Sequence, residues 1–107
     1  MTDGAELPLN TLRLEGEMTI YRAEELRQVL MGAIQPEARL EIDLSGVTEL
    51  DTCGLQLLMQ AKRAATRHGG EVQLVRHSPP VLDVFELLNV AAFFGDHLVL
   101  PARTGRV

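Results

Sequence analysis

Leu40-Glu41-Ile42-Asp43-Leu44-Ser45-Gly46-Val47-Thr48-Glu49-Leu50-Asp51-Thr52-Cys53-Gly54-Leu55 is the stretch on which the fold turns. Its first five residues alternate apolar with polar, the period of a half-buried strand, and Ser45-Gly46 reads as a turn before a further extended run, Val47 to Leu50. Beyond Asp51-Thr52-Cys53-Gly54 the composition changes abruptly. Leu55 to Arg67 is rich in Leu, Met, Ala, Gln and Lys, all good helix formers, and it stops at His68-Gly69-Gly70. A strand that hands directly over to a helix at an Asp-Thr pair is the beginning of a β-α unit.

The same pattern repeats on both sides. Upstream, Thr11 to Glu15 alternates as a strand, and Gly16 ends it or bends it into a second short strand, Glu17 to Ile20. Ala23, Leu26, Val29 with Leu30, and Ala33 with Ile34 then recur at helical spacing, with Glu24 and Glu25 in the favourable first turn and a stop near Gln35-Pro36. Downstream, Val72 to Val75 is a strand. Ser78-Pro79 offers a hydroxyl cap and a proline at the first helical position of a helix reaching about Leu88, Phe93 to Asp96 is a loop, and His97 to Leu100 forms a short edge strand. The predicted order is β-β-α-β-α-β-α-β, an α/β fold whose crossovers imply parallel strand pairs with helices packed on the sheet.

Composition restricts the class of protein. A chain of 107 residues builds one core, and 46% apolar with 23% charged residues is the make-up of an ordinary folded domain. Residues 11–100 are read as that single domain, with loosely held ends at 1–10 and 101–107. The net charge of −5 opposes a nucleic-acid partner and an anionic membrane surface. Cys53 is the only cysteine, so neither an intramolecular disulfide nor a thiolate zinc site is expected. The first eight residues are not those of a secretory signal, and no apolar run approaches the roughly 20 residues that span a bilayer, so a cytoplasmic chain without membrane insertion is expected.

No recognisable catalytic set is present: no GxGxxG, no GxxxxGK[ST], no GxSxG and no HExxH. His68, His77 and His97 lack ligand spacing and read as solvated or capping residues, while Glu24, Glu25, Glu71 and Asp83 read as solubilising charge. The expectation is therefore a non-enzyme that needs no cofactor and no metal. Asp51 and Thr52 stand where helix N–H groups lack partners. Either can cap the helix, and a hydroxyl there also sits in a field that stabilises an added phosphate. Helix residues Leu55, Leu57, Leu58, Met59, Ala61, Ala64 and Ala65 cover more than one stripe, which fits either a docking face or a helix sandwiched in the core of a small domain or in a homodimer.

The run Leu44 to Leu58, with Asp51-Thr52-Cys53-Gly54-Leu55 at its centre, resembles the signature of STAS domains. Gly16-Glu17-Met18, Gly69-Gly70 and Ser78-Pro79 are also placed as in that family, so the resemblance covers nearly all of residues 11 to 100. It implies a mixed β-sheet with helices, and a binding module similar to the anti-sigma factor antagonists. In those, the unphosphorylated form binds a kinase-like anti-sigma factor, a serine-threonine kinase, and frees a sigma factor; phosphorylation reverses this. The resemblance implies Thr52 as phosphoacceptor, Asp51 as the residue shaping the site, and a partner surface comprising Asp51, Thr52, Cys53, Gly54, Leu55, Gln56 and Thr19. Thr19 stands where the antagonists carry an acidic residue, and Cys53 replaces a small hydroxyl or glycine. Threonine as acceptor is shared with STAS subunits that support the ATPase of lipid-transport ABC complexes, and Glu17 to Tyr21 looks closer to STAS proteins of chemotaxis clusters. A homodimer is compatible with all of these.

Overall fold

The computed structural model of the protein describes residues 7–88. Over that span three strands, β1 (Leu9–Met18), β2 (Arg39–Leu50) and β3 (Glu71–Val75), alternate with three α-helices, α1 (Ala23–Ala33), α2 (Thr52–Arg67) and α3 (Pro79–Leu88). The sheet order is β1-β2-β3 and both pairings are parallel. Successive crossovers of one hand place α1 and α2 on the same face, and the two helices pack on each other as well as on the sheet, while α3 packs against β2. The predicted strand His97 to Leu100, the loop at Phe93 and both expected loose ends, apart from residues 7–10, lie outside the described residues.

Two expected breaks in the chain prove to be irregularities within continuous strands. β1 runs through Gly16 instead of dividing there, because Gly16 adopts φ +83°, where a side chain would be strained, and the strand resumes on the other side. β2 likewise runs through Ser45-Gly46. Its register against β1 slips twice: Arg13 pairs with Asp43 but Glu15 with Gly46, and Gly16 pairs with Val47 but Glu17 with Glu49. Each slip inserts one extra residue into β2, as a bulge does. Burial records the effect. Leu40, Ile42 and Leu44 are buried at period two, then Val47 and Leu50 at period three. The first bulge is stabilised locally, since the Asp43 carboxylate accepts a hydrogen bond from the Ser45 N–H at 2.8 Å. That bond is the main reason the Asp43 carboxyl is held below its ordinary pKa.

The core is apolar and continuous. Leu26 and Leu30 of α1, Leu55, Leu58, Ala61 and Ala65 of α2, and Val81 and Phe85 of α3 close over the strand residues. Six of the seven apolar positions of α2 noted above are buried and Met59 is packed partly against the core. The helix is therefore enclosed within this domain, and a docking face is not what its apolar breadth reflects. α2 ends in a Schellman arrangement, with Gly70 N–H on the Ala65 carbonyl at 2.8 Å and Gly69 N–H on that of Thr66 at 3.1 Å, which satisfies the last carbonyls where the glycine pair predicts a stop.

α3 begins at Pro79 as expected, but the cap differs. Pro79 and Pro80 fill the first two positions and have no N–H, and the buried Ser78 hydroxyl makes no hydrogen bond with the described residues. His68 is the C-cap residue of α2, and His77 lies edge-on to the Phe85 ring with centroids 5.4 Å apart. Glu24 and Glu25 pair with Arg27 and Arg22 along α1.

Candidate functional site

Asp51 belongs to two elements at once. Its backbone is extended, with φ −109° and ψ −176°, and its N–H bonds the Met18 carbonyl at 3.2 Å as the last link to β1. Its own carbonyl already accepts the first helical bond, from Leu55 N–H at 2.9 Å. The side chain does the rest. Oδ1 accepts from Gly54 N–H at 2.9 Å, the N-cap bond, and Oδ2 accepts from Ile20 N–H at 3.0 Å, across from the turn that follows β1. One carboxylate thus ties a strand end, a helix N-terminus and the neighbouring turn together. These bonds favour the charged form, so the carboxyl sits below its ordinary pKa, the Gly54 bond contributing most and partial burial opposing it.

The junction is tight because position 54 has no side chain. A Cβ on Gly54 would collide with the Met18 carbonyl oxygen and approach Leu50 Cδ1 to 2.8 Å. The first turn of α2 consequently rests directly on the end of β1. That fixes Thr52, the first helical residue, in an exposed position at the rim, with Gln56 exposed one turn on and Cys53 half-buried between.

The turn opposite is held as firmly. Ile20–Arg22 forms a single 3-10 turn. Arg22 Nη1 donates to the carbonyls of Glu15 at 2.8 Å and Glu17 at 2.7 Å, bracketing Gly16, and its guanidinium pairs with Glu25 at 3.2 Å. With Ile20 N–H taken by Asp51, the side chains of Ile20 and Tyr21 point outward, 60% and 90% exposed. Two large apolar groups are thereby presented beside Thr52. Alternation at period two places Ile20 in a strand and Tyr21 at a helix start. A 3-10 turn matches neither period, so nothing in the local pattern marks these two residues as exposed. The only hint is Thr19, a polar residue set between Met18 and the Ile20-Tyr21 pair.

Of the seven residues expected on a partner surface, the structure brings Asp51, Thr52, Cys53 and Gln56 to one exposed or half-buried rim. Thr19 is not on it. Its side chain is turned inward, 4% exposed, with Oγ1 donating to Glu17 Oε1 at 3.2 Å. Gly54 and Leu55 are buried as well and serve to seat the helix rather than to face a partner. Among the described residues no group of three or more His, Cys, Asp or Glu side chains is arranged to hold a metal ion.

A parallel α/β sheet, a strand-to-helix junction capped by aspartate and an exposed hydroxyl at the first helical position together define a STAS-type domain. The family described as "Mlab, STAS domain" matches residues 5–100, and the chain belongs to that STAS family. Among solved structures it is similar to the STAS domain of a SulP transporter from Vibrio cholerae, with 26% identity over 91% of this chain and 76% of the other, at a TM-score of 0.63. The anti-sigma factor antagonist SpoIIAA, in its unphosphorylated form, shares the fold at 21% identity over 90% of this chain and 85% of that one, with a TM-score of 0.66. A sulfate transporter family protein from Wolinella succinogenes shares it at 15% identity, covering 89% and 80% of the two chains, with a TM-score of 0.68. No described helix is long and apolar enough to cross a membrane.

Proposed function

We propose that this chain is a non-enzymatic regulatory domain that binds a protein partner through the rim around Thr52 and is switched by phosphorylation there. The observation carrying this reading is the exposure of Thr52 at the first position of a helix whose N-terminus is already capped by Asp51. Gly54 N–H is occupied by the carboxylate, so a phosphate on Thr52 has no need to enter the cap and the fold has no reason to rearrange. The added phosphate, about 1.5 to 2 negative charges, stands beside the Asp51 carboxylate and next to the exposed Ile20 and Tyr21. A partner seated on that apolar pair then faces a sharp rise in negative charge. The partner is a kinase-like anti-sigma factor of the cytoplasm, which transfers the terminal phosphoryl group of ATP to Thr52 Oγ1, releasing ADP and the hydroxyl proton.

Isolation of the native protein with its bound partner, followed by intact mass and site mapping, tests this. Phosphate on Thr52 in the free pool and its absence from the partner-bound pool is the expected result. A Thr52→Glu variant that keeps full partner affinity overturns it. A second reading, an assembly subunit supporting the ATPase of a lipid-transport ABC complex, is favoured by threonine in the acceptor position and by the match to the Mlab STAS family. Co-purification of an unmodified chain with a transporter ATPase decides for that reading.

A further inference from the structure

The far end of α2 carries a different kind of surface. Although the chain is acidic, with 15 Asp and Glu against 10 Lys and Arg, three of those cations, Arg27, Arg63 and Arg67, line one groove where α1 and α2 lie side by side, and Lys62 lines a hollow next to it on α2. A groove of about 210 Å³ is lined by Arg27 and Met31 of α1 and by Gln60, Arg63, Ala64 and Arg67 of α2. A second, shallower hollow of about 380 Å³ adjoins it over Lys62, Arg63, Thr66 and Arg67. Among the described residues no carboxylate lines either one. Arg27 is already paired with Glu24, which accepts from its Nε at 3.3 Å and its Nη2 at 2.9 Å. Lys62 and Arg67 form no ion pair with any described residue.

Helix electrostatics account for only part of this. A cation in the last turn complements the negative end of the helix dipole, which suits Arg67, but that effect fades within one turn and does not reach Lys62, Arg63 or Arg27 on the other helix. The spacing of Gln60, Arg63, Ala64 and Arg67 at three and four residues puts them on one side of α2, and Met31 with Ala64 gives the groove an apolar floor between cationic walls.

We propose that this groove and the hollow beside it form a docking site for an acidic, amphipathic segment of a protein partner, whose carboxylates meet Lys62 and Arg67 while a small apolar side chain rests on Met31. The net charge of −5 opposes an extended polyanion such as RNA or an anionic membrane, which would meet the rest of the surface as well; a short acidic helix meets only the groove. Arg63 lies eleven positions beyond Thr52 on the same helix, about 16 Å away at 1.5 Å per residue. The site is thus separate from the rim, and it stands whether or not Thr52 is ever modified.

The test uses the full chain and a fluorescein-labelled amphipathic peptide of alternating Glu and Leu/Ala turns, about 15 residues long, read by fluorescence anisotropy. Binding is expected to weaken at least about tenfold in the Lys62→Glu/Arg67→Glu double variant, and to weaken steeply as salt rises from about 0.1 M to about 0.5 M. The Thr52→Glu variant should bind the peptide as the wild type does. Circular dichroism checks that the double variant is folded, and Arg67→Gln with Lys62→Gln supplies an uncharged version should reversal perturb the helix. Equal peptide affinity in wild type and folded double variant overturns the proposal. So does absence of peptide binding, or binding of single-stranded RNA or phosphatidylglycerol vesicles as tight as that of the peptide.

Discussion

Replacing Asp51 with alanine removes the two side-chain hydrogen bonds that join α2 to the turn after β1. Loss of an N-cap bond costs about 1 kcal/mol, and loss of a carboxylate acceptor for the exposed Ile20 N–H adds about 1 kcal/mol once solvent competition is allowed for, giving a total of about 2 kcal/mol. Urea unfolding reads it directly. With a slope of about 1 to 3 kcal/mol per molar, the midpoint should fall by about 0.7 to 2 M with the slope unchanged. Asp51→Asn should lie between, since its Oδ1 can still accept from Gly54 while its amide group opposes the Ile20 N–H as donor against donor.

The pH profile gives an independent measure of the same bonds. Because the folded carboxyl is held below its ordinary value, chiefly by the Gly54 N–H, the unfolded chain takes up the proton first as pH falls. The stability that Asp51 contributes is therefore complete above the ordinary carboxyl pKa of about 3.9 and is lost as pH drops through the lower folded value. The alanine variant should show a correspondingly flatter decline below about pH 4, with Asp43 and the remaining carboxylates supplying what slope persists. A midpoint shift under about 0.3 M in Asp51→Ala, or an acid limb identical to that of the wild type, would refute the claim that this carboxylate holds the junction.

Gly54→Ala should destabilise by about 1 to 3 kcal/mol despite the better helix propensity of alanine, because the new methyl meets the fixed Met18 carbonyl rather than a flexible side chain; a thermal melt showing no loss would contradict the close approach. Tyr21→Ala should leave stability within about 0.5 kcal/mol, its ring being exposed, yet weaken partner binding at least about tenfold by titration calorimetry; unchanged affinity would remove Tyr21 from the rim. In Arg22→Gln the Ile20 and Tyr21 amides should exchange with solvent faster while those of Ile42 and Leu44 in β2 keep their protection, since the carbonyl clamp around Gly16 and the exposed pair with Glu25 are lost but nothing in the sheet is; equal acceleration at all four would point to global loosening instead.

Much of this architecture is legible along the chain because it follows from local chemistry. Alternation marks β1, the first half of β2 and β3; helical spacing marks α1; the proline after Ser78 marks the start of α3; and composition, with the Gly69-Gly70 stop, marks α2 to within three residues of its start. The Asp51-Thr52 pair identifies the junction because an aspartate before a helix has a defined partner in the helix N–H groups. Where local pattern misleads, the cause is pairing between distant segments. Gly16 and Ser45-Gly46 look like chain breaks in isolation, yet β1 and β2 support each other through both positions and absorb the extra residues of β2 as bulges. Ser78 reads as a cap until Pro80 removes a donor it would have used.

Periodicity, side-chain volume and capping act over a few neighbouring residues, and they suffice for the α/β order, the single apolar core and a helix that starts at the Asp51-Thr52 pair; that Asp51 and not Thr52 makes the cap is decided by the structure. Which of those residues face outward depends on contacts across the fold. Thr19 turns inward and Ile20 and Tyr21 outward because Asp51, 31 positions beyond Ile20, takes the Ile20 N–H, and because Arg22 grips two carbonyls of β1. The convergence of Arg27 with Arg63 and Arg67 likewise depends on α1 and α2 lying on the same face of the sheet. Exposure and convergence are properties of contacts between remote segments, and no local pattern encodes them.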